Sequence, residues 1–140
     1  MALKFHPKPG TVLICDFTAG FKMPEMIKRR PVVVVSPRPR RKTQLCIVVP
    51  LSTTCPEPVE AYHHRLMPGS LPGNLAGKET WAKCDMPATV SLARLDRVRV
   101  KREDGQRVYV AEKILPKDFM EIQKGVLFAL GLGRLTDHLK

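Results

Sequence analysis

Four consecutive valines constrain this chain more than any other feature. Val32–Val35 follow Lys28-Arg29-Arg30-Pro31 and precede Ser36-Pro37. A run without helical period cannot present one apolar stripe, whereas β-branched side chains suit a strand covered on both faces or set in a barrel wall. Pro31 has no N–H to donate and is tolerated only at the start or edge of a strand, so the strand is expected to begin there. Arg30 then stands just outside a rigid element, where a planar, permanently charged group with five donors can meet a phosphate. The competing reading is a solvated cation guarding an aggregation-prone strand.

Short apolar runs separated by Pro, Gly and basic residues fill most of the remaining chain. Thr11–Phe17 reads as a strand, and the loop from Phe21 to Arg30 carries Glu25 among Lys22, Lys28, Arg29 and Arg30. Arg38, Arg40, Arg41 and Lys42 lie in a Pro-broken basic connection that leads to a strand at Leu45–Ser52. Further strands are expected at Glu60–Leu66, Glu79–Cys84 and Thr89–Leu92, with a Pro/Gly-rich loop over Met67–Gly77. Val98 and Val100 alternate with charges before Asp104-Gly105, and Val108 and Val110 alternate after it, the pattern of a hairpin. Pro116 opens a helical pattern through Phe119, Ile122, Val126 and Leu130 that Gly131 and Gly133 stop. The expected fold is mainly β, an antiparallel sheet that curls or closes, with a C-terminal helix across one end.

Charge narrows the partner. With 140 residues there is room for one core, and 24 Lys and Arg against 13 Asp and Glu leave a net charge of +11, the footprint of a polyanion binder. Nucleic acid is the leading partner. No apolar run approaches the roughly 18 residues of a membrane span, and the N-terminus reads as neither signal peptide nor lipid anchor, so no membrane partner and a cytoplasmic location are expected. Cys15, Cys46, Cys55 and Cys84 are isolated from one another, which points away from a metal site or disulfide framework. His63 and His64 would face opposite sides of a strand, so a surface or loop-facing role is expected for them. No cofactor is expected.

The order of motifs is itself informative. Gly10-x-Val12-x-x-x-Asp16-Phe17 is followed by Glu25-x-x-x-x-Arg30-Pro31-Val32-Val33-Val34, then Val48-Val49-Pro50-Leu51-Ser52-Thr53, then Cys84-Asp85-Met86-Pro87-x-Thr89-Val90, then a terminal Leu130-Gly131-Leu132 helix. The set resembles the PemK/MazF family of toxin endoribonucleases, type II toxins that act as mRNA interferases, with a single domain whose core runs over about 9–132. The resemblance implies a small SH3-like β-barrel with a C-terminal helix, a homodimer that cuts single-stranded mRNA until a cognate acidic antitoxin blocks it. Arg30 matches the family's catalytic Arg, and Ser52 falls where many members have a catalytic Thr. Lys83-Cys84-Asp85 resembles an Arg-Cys-Asp sequence whose Arg and Asp serve acid–base work, and Lys83 replaces the bidentate Arg with a point charge. Glu25 lies near a family loop acid, while the His that some members carry in that loop is absent.

The implied chemistry is metal-free. The ribose 2′-hydroxyl attacks the adjacent phosphate and leaves a 2′,3′-cyclic phosphate and a 5′-hydroxyl. Asp85 or Glu25 would take the 2′ proton if burial raises its pKa, Arg30 and Lys83 would meet the growing charge, and Ser52, with Thr53 beside it, would hold a phosphate oxygen. Lys28, Arg29, Arg38, Arg40 and Arg41 would track the RNA backbone. Asp85 before Met86-Pro87 also reads as a turn cap, and Ser52-Thr53-Thr54 as a strand exit. Trp81 reads as a core or dimer aromatic, with a base-stacking platform as the sharper option. Two other classes share the expected fold: a gyrase-inhibiting toxin, and a catalytically silent RNA-binding SH3-like module.

Overall fold

The computed structural model describes residues 3–39 and 43–139. Its strands are β1 (Val12–Asp16), β2 (Arg29–Val34), β3 (Leu45–Ser52), β4 (His63–Arg65), β5 (Trp81–Lys83), β6 (Ala88–Ser91), β7 (Leu95–Asp96), β8 (Val98–Glu103) and β9 (Gln106–Val110), followed by helix α1 (Pro116–Ala129). The main sheet runs β4-β5-β3-β2-β1-β7, with β6 beside β5 on the same edge of β3. Every ladder is antiparallel. Among the described residues no ladder joins β4 to β7, so the strands trace a path rather than a ring of paired strands. The expected mainly β fold with a C-terminal helix is therefore present.

The valine run works as its lack of period requires. Val32 and Val34 join one apolar cluster with Leu13, Cys15, Phe17 and Val48, whereas Val33 joins a second with Val12, Val49, Leu51 and Ile122. Val32, Val33 and Val34 are each 0% exposed, a burial that contributes about 1.5–3 kcal/mol per side chain. One strand thus serves two cores.

The prolines set where ladders end. β2 begins at Arg29, two residues before the expected start at Pro31, because Pro31 pairs with Ile14 of β1 on one side. Backbone bonds from Val34 run to Gly10 and Thr11 on the β1 side, so alternation turns the missing N–H of Pro31 toward β3. The β2–β3 ladder accordingly stops at Val32 opposite Pro50. Pro50 in turn divides the far edge of β3: residues up to Val48 pair with β6, and residues from Leu51 pair with β5. Arg30 is consequently inside β2, opposite Cys15, and not outside the strand as its position before Pro31 suggested.

α1 covers the second face of the sheet instead of crossing one end. Ile122 is fully buried in the second cluster, with Phe119 and Val126 beside it. A Cβ at Gly125 would lie 2.7 Å from Cys84 Sγ and 2.9 Å from the Tyr62 carbonyl oxygen, so only glycine lets the helix approach β5 this closely. The β8–β9 hairpin turns at Asp104 and Gly105, with φ of 49° and 77°, as a two-residue turn with left-handed centres requires. Strands expected at Glu60–Leu66 and Glu79–Cys84 shrink to three residues each, the length over which β4 and β5 pair. The helical pattern ends at Ala129, and a 3-10 segment at Gly133–His138 follows.

Candidate active site

Alternation along the strands places the polar residues. Ala82 and Cys84 belong to the second cluster, so Trp81 and Lys83 point to the first face, as do their partners Ser52, Arg65 and His63. Arg30 shares the face of Cys15, a member of the first cluster. Val32 opposite Pro50 is the last β2–β3 pair, and Arg30 and Ser52 lie two residues beyond it toward the same end. The apolar half of the first face thus gives way to Arg30, Ser52, Lys83 and His63.

Two loops wall this end. The β1–β2 loop contributes Phe21 and Glu25, and the turn after β5 contributes Asp85 and Met86, to a cavity of about 440 Å³. Both candidate acids therefore line one space. Glu25 accepts the Lys22 N–H at 3.2 Å, a bond within its own loop. Asp85 has a side chain 38% exposed, and Glu25 is exposed too, so the burial expected of a general base is absent in the free chain. Arg94 braces the loop from below, its guanidinium 4.8 Å over the Phe21 ring while Nη1 donates to the Asp16 carbonyl at 2.9 Å.

Arg30 supplies the most informative atom. Its Nε is buried without a hydrogen-bond partner. Leaving a buried donor unsatisfied costs about 1–3 kcal/mol, more for a charged group, and such an atom calls for an explanation. An anion seated on this face would satisfy it. Ser52 is 6% exposed, and its Oγ accepts the Thr54 N–H at 3.1 Å, which makes it a strand-exit residue while its own O–H stays available as a donor. Thr53 is exposed just beyond it.

Other expected contacts are not gathered here. Arg29 pairs with Asp16, on the face opposite Arg30. Hydrogen bonds from Thr18, aided by Arg29 and Arg94, hold the Asp16 carboxyl below its ordinary range. Arg38 lies past the other end of β2, about 13 Å or more along the strand from Arg30, and its Nε donates to the His6 carbonyl at 3.1 Å. Arg40 and Arg41 lie outside the described residues. Lys28 is exposed beside the β1–β2 loop, where its carbonyl accepts the Phe17 N–H.

The two histidines do take opposite sides, but neither is a surface residue. His64 is 20% exposed and meets the fully buried Asp118 of α1 at 2.8 Å. His63 is 8% exposed with Nε2 4.0 Å from Asp85. Spacing in the sequence carries no signal for either partner, since one depends on the pairing of β4 with β5 and the other on the docking of α1. Trp81 is half-buried and donates Nε1–H to Glu79 at 2.9 Å. Among the described residues no three His, Cys, Asp or Glu side chains cluster as metal ligands.

A family model for PemK-like, MazF-like toxins of type II toxin–antitoxin systems matches residues 8–123. YifN, an uncharacterized protein of Escherichia coli K12, is 34% identical over 121 residues, covering 73% of this chain and 80% of YifN. Among solved structures, MazF from Deinococcus radiodurans superposes with a TM-score of 0.63 at 15% identity, over 91% of this chain and 99% of the other. An endoribonuclease in complex with its cognate antitoxin, from a mycobacterial species, gives a TM-score of 0.60 at 23% identity, over 91% and 97% of the two chains. These likenesses establish a MazF-like fold.

Proposed function

We propose, since this chain belongs to the PemK-like, MazF-like toxin family of type II toxin–antitoxin systems, that it is an endoribonuclease that cuts single-stranded mRNA at selected sequences without a metal ion. The observation that carries this reading is the orphaned Arg30 Nε on the face where Glu25 and Asp85 share a cavity. Cleavage by the neighbouring 2′-hydroxyl needs a base, a cation and an acid, because the substrate brings its own nucleophile.

In that reaction O2′ bonds to phosphorus as the bond to O5′ breaks. Asp85 or Glu25 accepts the 2′ proton, Arg30 donates to the phosphorane oxygens, Lys83 protonates or shares the charge of the leaving O5′, and the Ser52 hydroxyl steadies a phosphate oxygen. Thr53 and Lys28 lie where the backbone would pass. The proximal chemistry would come from one toxin domain with its core over about 9–132, paired as a homodimer and silenced by an acidic antitoxin drawn to a surface of net charge +11. Occupation of the same cationic face by antitoxin and RNA is sufficient for inhibition.

The test is incubation of the purified protein with a long single-stranded RNA in EDTA. Fragments ending in 2′,3′-cyclic phosphate and 5′-hydroxyl are expected. Activity lost in EDTA and restored by magnesium would overturn the metal-independent reaction. Intact RNA with blocked gyrase would move the protein to the gyrase-inhibiting class that shares this fold.

A further inference from the structure

We infer that His63 is a positioning residue for Asp85: its Nε2–H is aimed at the Asp85 carboxylate and orients it at the rim of the cavity. The inference rests on the nuclease reading above, within which it also favours Asp85 over Glu25 as the acid in use.

The imidazole is fixed from two sides. The Glu60 N–H donates to His63 Nδ1 at 3.0 Å, and the His63 N–H returns a bond to the Glu60 carbonyl at 3.0 Å. A backbone N–H only donates, so Nδ1 must be the acceptor and the proton of the neutral ring sits on Nε2. Tyr62 packs edge-on against the ring with centroids 4.5 Å apart. Nε2, the nitrogen with the proton to give, is the one that faces Asp85 Oδ1 at 4.0 Å.

Among the described residues this imidazole has Glu60 and Tyr62 beside it from its own segment, Lys83 opposite in the β5 register, and Asp85 just after β5. The Tyr62 phenol beside the ring is pushed up by desolvation and then by the charges of Asp85 and Glu60. At 4.0 Å the His63–Asp85 contact is too long for a hydrogen bond, and the two partners differ in freedom. His63 is 8% exposed and locked, whereas the Asp85 side chain is 38% exposed at a turn. Closure therefore falls to Asp85, which an RNA phosphate entering the cavity would press toward Nε2; contacts of this kind commonly tighten only with substrate bound.

A base held about 1 Å out of place can cost on the order of 100-fold in rate. His63→Leu should accordingly lower kcat by roughly 10- to 100-fold with KM for RNA little changed. His63→Gln, whose side-chain amide reaches the position of Nε2, should restore most of that loss. In an Asp85→Asn background His63→Leu should cost nothing further, because the residue acts only through the carboxylate.

Losses that add in the double variant, or a Gln variant as impaired as Leu, would overturn the inference. Because the ring is nearly buried, unfolding of each variant is followed in parallel, and the Asp85→Asn chain keeps His63 itself intact. The imidazole 15N signals are the direct readout: Nε2 protonated and Nδ1 bare in the wild type, with an Nε2 signal that moves when a short uncleavable RNA is added and moves less in Asp85→Asn. An Nδ1–H tautomer, or an Nε2 response to the uncleavable RNA that is the same with and without the Asp85 carboxylate, would sink the pairing even if the wild type cut no RNA. Absence of cleavage alongside a responsive Nε2 would instead remove the nuclease reading and, with it, the positioning role.

Discussion

His63 and His64 are neighbours on one three-residue strand, and they end in opposite situations. His64 turns to the helix side, where Asp118 is 0% exposed and takes its Nε2 at 2.8 Å as well as the Met67 N–H at 3.2 Å. That carboxylate has its partners already. His63 turns to the other side, where Asp85 stands 4.0 Å off and partly open to water. The same two residue types, one position apart, make a closed latch on one face and an unfinished contact on the other. Completed polar groups hold the fold, and incomplete ones, Arg30 Nε foremost, are where the proposed reaction would seat its phosphate.

Exchanging one carboxylate on each face tests this division most severely. Asp118→Ala strands His64 and the Met67 amide, and removing one member of a buried pair costs about 3–5 kcal/mol of stability. Urea unfolding should show that loss. Asp85→Asn should leave unfolding unchanged and lower RNA cleavage by about 10²–10⁴, the span of general acid–base help. If Glu25→Gln costs more cleavage than Asp85→Asn, the base is Glu25. If Asp85→Asn destabilises as much as Asp118→Ala, the two faces are not different in kind.

Arg30 and Arg29 sharpen the same contrast through adjacent cations. Arg30→Ala removes a donor from the site face and should cost about 10²–10³ in rate. Arg29 faces Asp16 across the ladder on the other side, so Arg29→Ala should cost only a few-fold through bulk charge. Equal losses, read at matched salt, would mean that total charge and not one placed guanidinium carries the effect.

Why some of this could be foreseen and some could not follows from the distance over which each signal acts. The valine run dictates double burial by itself, because four β-branched side chains in a row must fall alternately on two faces. Asp104-Gly105 fixes its hairpin for an equally local reason, the need for left-handed backbone. Arg30 stood out in the sequence as a candidate phosphate ligand, but its strand position did not, since the ladder with Cys15 outweighs the start signal of Pro31. His63 and Asp118 carry no local mark at all. Their partners arrive from 22 and 54 residues away, through the β4–β5 register and the docking of α1. Arg38 shows the converse failure: its charge is plain in the sequence, while its place past the far end of β2 is set by topology.

A smaller effect is expected from the helix side. Gly125→Ala forces a methyl to 2.9 Å from the Tyr62 carbonyl, a backbone atom that can yield only by moving β4. Overpacking of this sort costs about 1–3 kcal/mol, against a helix-propensity gain of at most about 1 kcal/mol. A lower urea midpoint should result. An unchanged midpoint would show that the helix is not pinned to the sheet at this glycine.

The thiols give the finest measure, since Cys84 and Asp85 are adjacent and differ as the histidines do. Cys84 is 0% exposed beneath α1, and burial, then the charge of Asp85, push its pKa from 9.0 up to about 12. Burial pushes Cys15 to about 12, against the pull of Arg94, and Cys46 to about 11. Cys55 alone is exposed among the free cysteines. At pH 8 iodoacetamide should therefore label one thiol in the native chain and four after denaturation. A raised folded-state pKa stabilises the thiol form, so this contribution is full below pH 9 and is lost as pH rises through about 11 to 12. Native stability should fall across that alkaline window while the label count rises with it. Rapid labelling of Cys84 at pH 8 would mean that α1 lifts from the sheet on its own, and the closed face would then be no more complete than the open one.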